Sequence, residues 1–423
     1  MVKIGVFSDT HIGRTVPNVV AEYRRKAFRH AFKQAVDIFI EEGVEYVVHG
    51  GDVFERRSMT PGDTKFVKEE FQRLVDELGG EVKILVVRGN HDGTPENSAL
   101  DYIEHPLAKY LKVIGNGALK GEVDIYEDGG IAAVGYGYTP FAAVKIGEVK
   151  KAIRKRFEDA SAEHKIFIIH AFIEDHQDIP AGVPKYQIVP KKVVKNIGAD
   201  LIVAGHHHQR VPLTIIDGVS VLTPGATEAV DLSDETIHGV TIIELGERFD
   251  YSFRPLTPLY RIKNAVVDSA GAVREPVWYM ERALIAAREF SERLKAEGAE
   301  GLMRLAFKGV VKGDKFELEE NIEKELRRLM KENSLLLHII LKNDLREVGT
   351  PLSVIETTSR SEFLSEVFKP LGEKKREAAL QLIDEVEFTL GEKASTKTGL
   401  LRDSDRRRFV ERWIKILEAE TDA

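Results

Sequence analysis

Five short polar clusters hold the residues that could do chemistry: Asp9-Thr10-His11, Gly51-Asp52, Gly89-Asn90-His91-Asp92, His170 and Gly205-His206-His207-His208. Asp, His and Asn together make a metal-ligand set. Two divalent ions about 3.5–4 Å apart can hold a phosphate ester, activate a water and stabilise the departing oxygen, and they need one shared carboxylate. Asp52 is the natural bridge. Asp9, His11 and one of His206 and His208 then complete one ion, while Asn90, His170 and the other complete the second. So much imidazole suits Mn, Fe, Zn or Ni better than Mg, which prefers oxygen ligands; two Mn ions per chain are expected. His207 is read as non-ligating and His49 as a buried strand residue. His91 stays outside the ligand set as a catalytic residue: Asn90 must face an ion, which carries its neighbour to the rim of the site, with Asp92 expected to hold its ring.

Each cluster ends a short apolar run rich in β-branched residues: Val2 to Phe7, Tyr46 to Val48, Val82 to Val87, Ile166 to Ile169 and Leu201 to Ala204. Such runs read as buried strands, and the carboxyl ends of strands are where α/β sheets bind ligands. Between the first three, Glu22 to Glu42 carries an apolar helical stripe stopped by Gly43, and a second helix is expected with Asp63 as its cap, ended by Gly79-Gly80. Strand and helix alternate, which implies a parallel core sheet. A helix within Thr94 to Leu111 presents Leu100, Ile103 and Leu107 either to the core, the favoured reading, or to a dimer partner. Gly135-Tyr136-Gly137-Tyr138 lacks phosphate-loop spacing and is assigned no chemistry. Asp217-Gly218 marks a hairpin, and strands at Val240 to Leu245 and Phe249 to Phe253 are expected to form the second, antiparallel side of a two-sheet core.

At 423 residues the chain is long enough for two or three domains. No apolar run approaches a membrane span, there is no cysteine, and the first residues enter a strand directly, so a cytoplasmic protein without disulfides or zinc–thiolate sites is expected. The net charge of -8 excludes a surface coated in basic charge, leaving only local patches for nucleic acid.

In this order the clusters resemble the calcineurin-like metallophosphoesterases, whose pattern is D-x-H, G-D, G-N-H-D/E, a lone H and G-H-x-H. The resemblance implies an α/β fold: a two-sheet β-sandwich core flanked by helices over 1–257, followed by a small α/β capping domain over 258–348 and C-terminal helices over 349–423. Arg24, Phe28, Arg57, Pro61, Arg210 and Thr223-Pro224-Gly225 add a likeness to the archaeal nuclease subunits (Mre-eleven, SbcD-type) of the Mre-eleven/Rad-fifty break-repair complex. That likeness implies a homodimeric, Mn-dependent hydrolase of DNA phosphodiesters, an exonuclease on duplex ends and an endonuclease on single strands. It also implies an ABC-type Rad-fifty-like ATPase partner bound by the C-terminal helices, whose apolar faces are Phe363, Leu364, Val367 and Phe368, then Ala379, Leu382, Ile383 and Val386, then Phe409, Trp413, Ile416 and Leu417. Candidate phosphate contacts are Arg14, Arg24, Arg25, Arg56, Arg57, Lys185, Lys191, Lys192 and Arg210. Two positions depart from the pattern. Glu55 stands where a His is usual and Arg14 where an aromatic is usual, and Glu55 is expected to repel phosphate beside the scissile strand. The alternatives are a small-molecule phosphodiesterase or phosphatase of the same fold and a non-catalytic DNA-end scaffold.

Overall fold

The computed structural model describes residues 2–348 except 96, 118–120, 181 and 247–248, and further on 368, 375–383, 386 and 403–418. The chain forms two compact units, Met1–Leu345 and Arg346–Ala423.

The first sheet runs from its inner strands outward: β1 (Val2–Phe7), β2 (Tyr46–His49), β3 (Lys83–Val87) and β4 (Leu111–Ile114) are parallel neighbours in that order. The second contains β5 (Ile125–Glu127), β6 (Ile131–Tyr136), β7 (His164–His170), then, after a short pair β8 (Phe172–Ile173) and β9 (Ile188–Val189), β10 (Leu201–Gly205), β11 (Val211–Ile216) and β12 (Val219–Thr223). Its centre, β6-β7-β10-β12, is parallel. The strands β13 (Gly239–Leu245) and β14 (Phe249–Pro255) do not build that second sheet. They extend the first, β13 pairing antiparallel with β1 from Val2↔Leu245 to Val6↔Thr241. Each inner strand is buried on both faces, which is why it reads as unbroken apolar sequence.

Ile4, Val6, Val48, Leu85 and Val87 of one sheet meet Ile166, Ile168, Val203 and Leu222 of the other, each buried side chain contributing about 1.5–3 kcal/mol. The outer faces carry helices. Phe7, Val47, Ile84 and Val86 pack under α1 (Ala21–Glu42), α2 (Pro61–Glu77) and α3 (Asp101–Leu107) through Phe28, Phe32, Phe39, Phe71, Leu74 and Ile103. On the other side Val134, Phe167, Ile169 and Ile202 pack under α4 (Ala142–Asp159) and α5 (Lys191–Val194). Leu100, Ile103 and Leu107 therefore belong to the core. Gly43 ends α1 in the left-handed region (φ 64°). The cap of α2 is Thr60 rather than Asp63: its hydroxyl accepts from Asp63 N at 3.2 Å, and Pro61 takes the first helical position, where no N–H is needed.

Beyond Pro258, β15 (Arg261–Arg274), α6 (Pro276–Glu297), β16 (Gly301–Val311), α7 (Lys315–Glu332) and β17 (Leu336–Glu347) form a separate three-stranded sheet with two helices over its own core of Tyr279, Phe290, Leu305, Phe307, Ile322 and Leu326. In the second unit, 375–383 and Asp403–Glu418 are helical, Ala379, Leu382 and Phe409 are buried, and Phe368 packs on Trp413 at 5.6 Å. Phe363, Leu364 and Val367, and the side chain of Leu417, lie outside the described residues. Among the described residues no helix is long and apolar enough to cross a membrane.

Candidate metal centre

The loops after β1, β2 and β3 of one sheet and after β7 and β10 of the other meet at one edge of the sandwich. Close contact needs glycine. A Cβ on Gly205 would collide with the Gly50 carbonyl and the Ser8 hydroxyl, and one on Gly89 with the Asp52 carboxylate. The backbone turns sharply at the polar residues themselves: Asp9, His11, Asp52 and His206 have φ of 50°, 40°, 55° and 84°. Non-glycine residues there cost of order 1–3 kcal/mol each and gather at functional sites. Backbone bonds lock the loops together, Asp9 N to Gly51 O at 2.9 Å and His11 N to Asp52 O at 3.0 Å.

Two ligand groups result. Asp9, His11 and His208 offer atoms within metal-binding reach of one another, and so do Asp52, His170 and His206. Asp52 stands between them, its Oδ2 3.3 Å from Nε2 of His170 and 3.9 Å from Nε2 of His11. The Oδ1 of Asn90 lies 3.1 Å from Nε2 of His170. The terminal histidines thus divide, His208 toward Asp9 and His206 toward His170, while buried His207 turns to Phe172. A third grouping adds His91 to His11 and Asp52. His49 is fully buried; its Nδ1 accepts from Gly51 N, which fixes the turn into Asp52.

A cation fits this donor set. Ring nitrogens face ring nitrogens, His11 Nε2 to His208 Nε2 at 3.4 Å and His170 Nε2 to His206 Nδ1 at 3.2 Å. Asp9 Oδ1 and Asp52 Oδ2 are buried acceptors without a hydrogen-bond donor. His170 donates Nδ1–H to Gly50 O at 2.8 Å, which frees Nε2 as a ligand.

The charges agree with that reading. Burial alone would raise the Asp52 carboxyl, but His170, His11 and His91 outweigh it and hold it far below the usual carboxylate value. Burial would lower His170, yet Asp52 pushes it up to about 9. Burial lowers His206 to about 3 and His208 to about 4, so these two are neutral and ready to ligate. Burial would lower His11 too, but Glu55, Asp52 and Asp9 push it up as well, and His170 must lose a proton to ligate. Below about pH 9 an incoming ion competes with that proton, so affinity is expected to rise with pH across the neutral range, with proton release on binding. Titration calorimetry in buffers of different ionisation enthalpy would count the protons; no release at pH 7 would contradict the assignment.

Several expectations need correction. Asp92 does not hold His91: it is fully buried and accepts from the amides of Gly89, Phe54 and Val53 at 2.9, 3.0 and 3.3 Å, tying its loop to that of Asp52. His91 instead places Nδ1 2.8 Å from the Glu55 carbonyl. Glu55 is buried and paired with Arg14, so it does not meet phosphate as an exposed acid. Arg24 is 1% exposed, on the inward face of α1, where it donates to the Val16 and Ala229 carbonyls, and so is no phosphate contact. Arg14 is spent on Glu55 and the Val230 carbonyl. Arg210 lies over the Phe253 ring, Arg25 pairs with Glu22 and Lys191 with Asp175, while Arg56, Lys185 and Lys192 are exposed and Arg57 half-buried. Tyr138, assigned no chemistry, stands 5.4 Å from the His206 ring. Its signal was its place just past β6, one more strand end at the same edge.

The groups open into a cleft of about 570 Å³ lined by Asp52, Asn90, His91, Phe172 and the three terminal histidines. Residues 2–210 match the calcineurin-like phosphoesterase family. Among relatives, the chain is similar to proteins named DNA double-strand break repair protein Mre11. That of Thermoplasma acidophilum is 34% identical over 23% of this chain and 26% of its own length. That of Haloferax volcanii is 24% identical over 58% and 49%, and that of Saccharolobus solfataricus 27% over 56% and 57%. The matches thus span from about a quarter to somewhat over half of these relatives. Among solved structures, a dimetal phosphatase from Danio rerio aligns with 60% of this chain and 96% of its own, at 13% identity and a TM-score of 0.39. The stretch that begins at β1 and ends past the last histidine cluster is thus a calcineurin-like phosphoesterase domain.

Proposed function

We propose that the chain is a two-metal DNA nuclease, using Mn, that cuts duplex ends and single strands in break repair together with an ABC-type ATPase. The observation that carries the two-metal reading is Asp52, shared between two ligand groups drawn from five loops. The reading of DNA as substrate is supported by the similarity to proteins named for double-strand break repair. Asp9, His11 and His208 would hold one ion and Asn90, His170 and His206 the other. Such a pair supplies a polarised phosphoryl group, an activated water and a stabilised leaving oxygen. The chain's own part is to fix these ligands on two rigid sheets, to exclude bulk water beneath them, and to place His91 at the cleft wall. Arg56, Arg57, Lys185 and Lys192 are the accessible cations that would follow a phosphate backbone. The small α/β body would widen that surface, the helices after 348 would receive the ATPase, and the active form would be a homodimer.

End-labelled duplex and hairpin DNA, incubated with Mn, Mg or EDTA, tests the proposal. Cleavage with Mn that EDTA abolishes is expected. Rapid turnover of bis-p-nitrophenyl phosphate with intact DNA would favour a small-molecule phosphodiesterase; DNA binding without cleavage in any metal would favour an end-binding scaffold.

A further inference from the structure

The two residues that depart from the sequence pattern touch each other. Nη1 of Arg14 lies 2.9 Å from both carboxylate oxygens of Glu55, and Nε of Arg14 donates to the Val230 carbonyl at 2.8 Å. The pair is nearly dry, with side chains 14% and 9% exposed. On its other side Glu55 faces the metal centre: its Oε2 is 3.1 Å from Nδ1 of His11, a buried ring nitrogen with no aligned hydrogen-bond partner. The Glu55 carbonyl is the atom that Nδ1 of His91 addresses. One residue thus sits behind two imidazoles whose rings are 4.9 Å apart.

We infer that Glu55 is a positioning residue for the metal centre: its carboxylate, paired on the far side with Arg14, accepts the Nδ1–H of His11 so that Nε2 is presented to the ion beside Asp9 and His208. The inference rests on the metal reading of this site, not on DNA as substrate. A carboxylate behind a ligating imidazole fixes the tautomer and raises the ligand's basicity, and its loss typically costs 10- to 100-fold in metal affinity. Arg14 makes that carboxylate tolerable in a buried place, since an unpaired buried charge is strongly destabilising. Through Val230 it also anchors the pair to the segment that leads to Leu232, which packs on Leu302 of the small α/β body.

The test is Mn titration of the full chain, counting sites and affinities by electron paramagnetic resonance of free Mn, beside thermal melting of the metal-free protein. Glu55→Gln is expected to keep two sites but weaken one by about 10- to 100-fold, the same site that His208→Ala empties. Arg14→Gln is expected to lower the melting temperature while both affinities stay within a few-fold. The double variant Arg14→Gln/Glu55→Gln is expected to recover most of that melting temperature yet keep the weak site. Wild-type affinity at both sites in Glu55→Gln overturns the inference. So does parallel loss in both single variants with joint recovery in the double, which would mean the pair serves folding alone. A wild-type chain that takes up no Mn overturns the metal reading, and this inference with it.

Discussion

Asp52→Asn is expected to empty both metal positions together and to lower phosphodiester cleavage by about a thousandfold or more, since metal charge stabilisation is worth several kcal/mol and each 1.36 kcal/mol is tenfold in rate. The carboxylate is the shared element of the site and its charge offsets two dications. The substitution is gentle otherwise. Asn tolerates the left-handed backbone that Asp52 adopts at φ 55°, and an amide oxygen can still accept the His91 amide, 2.8 Å from Oδ1 in the native chain. His170→Ala, by contrast, should empty mainly one position. Metal content after dialysis decides: Asp52→Asn with two equivalents of Mn and full activity would sink the bridging assignment.

His91→Ala is expected to cost 10²- to 10⁴-fold in cleavage, the usual worth of a positioned proton donor, with metal content and DNA affinity near normal. The Glu55 carbonyl can only accept, so Nδ1 of His91 carries a proton and Nε2 is the atom left to face the cleft. A ring fixed in this way presents Nε2 to a departing 3′-oxygen or to the phosphoryl group, where its imidazolium form would supply a proton or charge. The rival role is ligation, because His91 also comes within metal-binding reach of His11 and Asp52. Ligation predicts that metal is lost in step with activity and that excess Mn restores both.

The site was legible in the sequence to the extent that strands were. A short β-branched run followed by Asp, His or Asn says that a polar residue sits at a strand end, and five such ends on parallel strands must face one edge. Pairing partners are another matter. Nothing local in Gly239–Leu245 says that it lies beside β1, more than two hundred residues away, rather than starting a new sheet. Side-chain direction within a tight loop was equally hidden. Asn90, His91 and Asp92 are consecutive, yet Asp92 points into the protein because three amides converge there, Gly89 of its own loop and Val53 and Phe54 of the Asp52 loop. Arg14 and Glu55 read as two unrelated departures, although in space they are one contact.

Each ligand group draws on both layers of the sandwich: Asp9, His11, Asp52 and Asn90 hang from one sheet, His170, His206 and His208 from the other. Bound ions would therefore act as a clasp across the seam where Gly50 meets Gly205, and the layers would part there only by giving up the metal. A ligand that holds only the closed form adds about 2.7 kcal/mol of stability at a hundredfold excess over its Kd. Affinity for nitrogen and oxygen donors rises from Mn toward Cu. The ion that fastens the clasp hardest thus differs from the one proposed for the chemistry, and the form of this protein that best survives heating need not be the form that cuts.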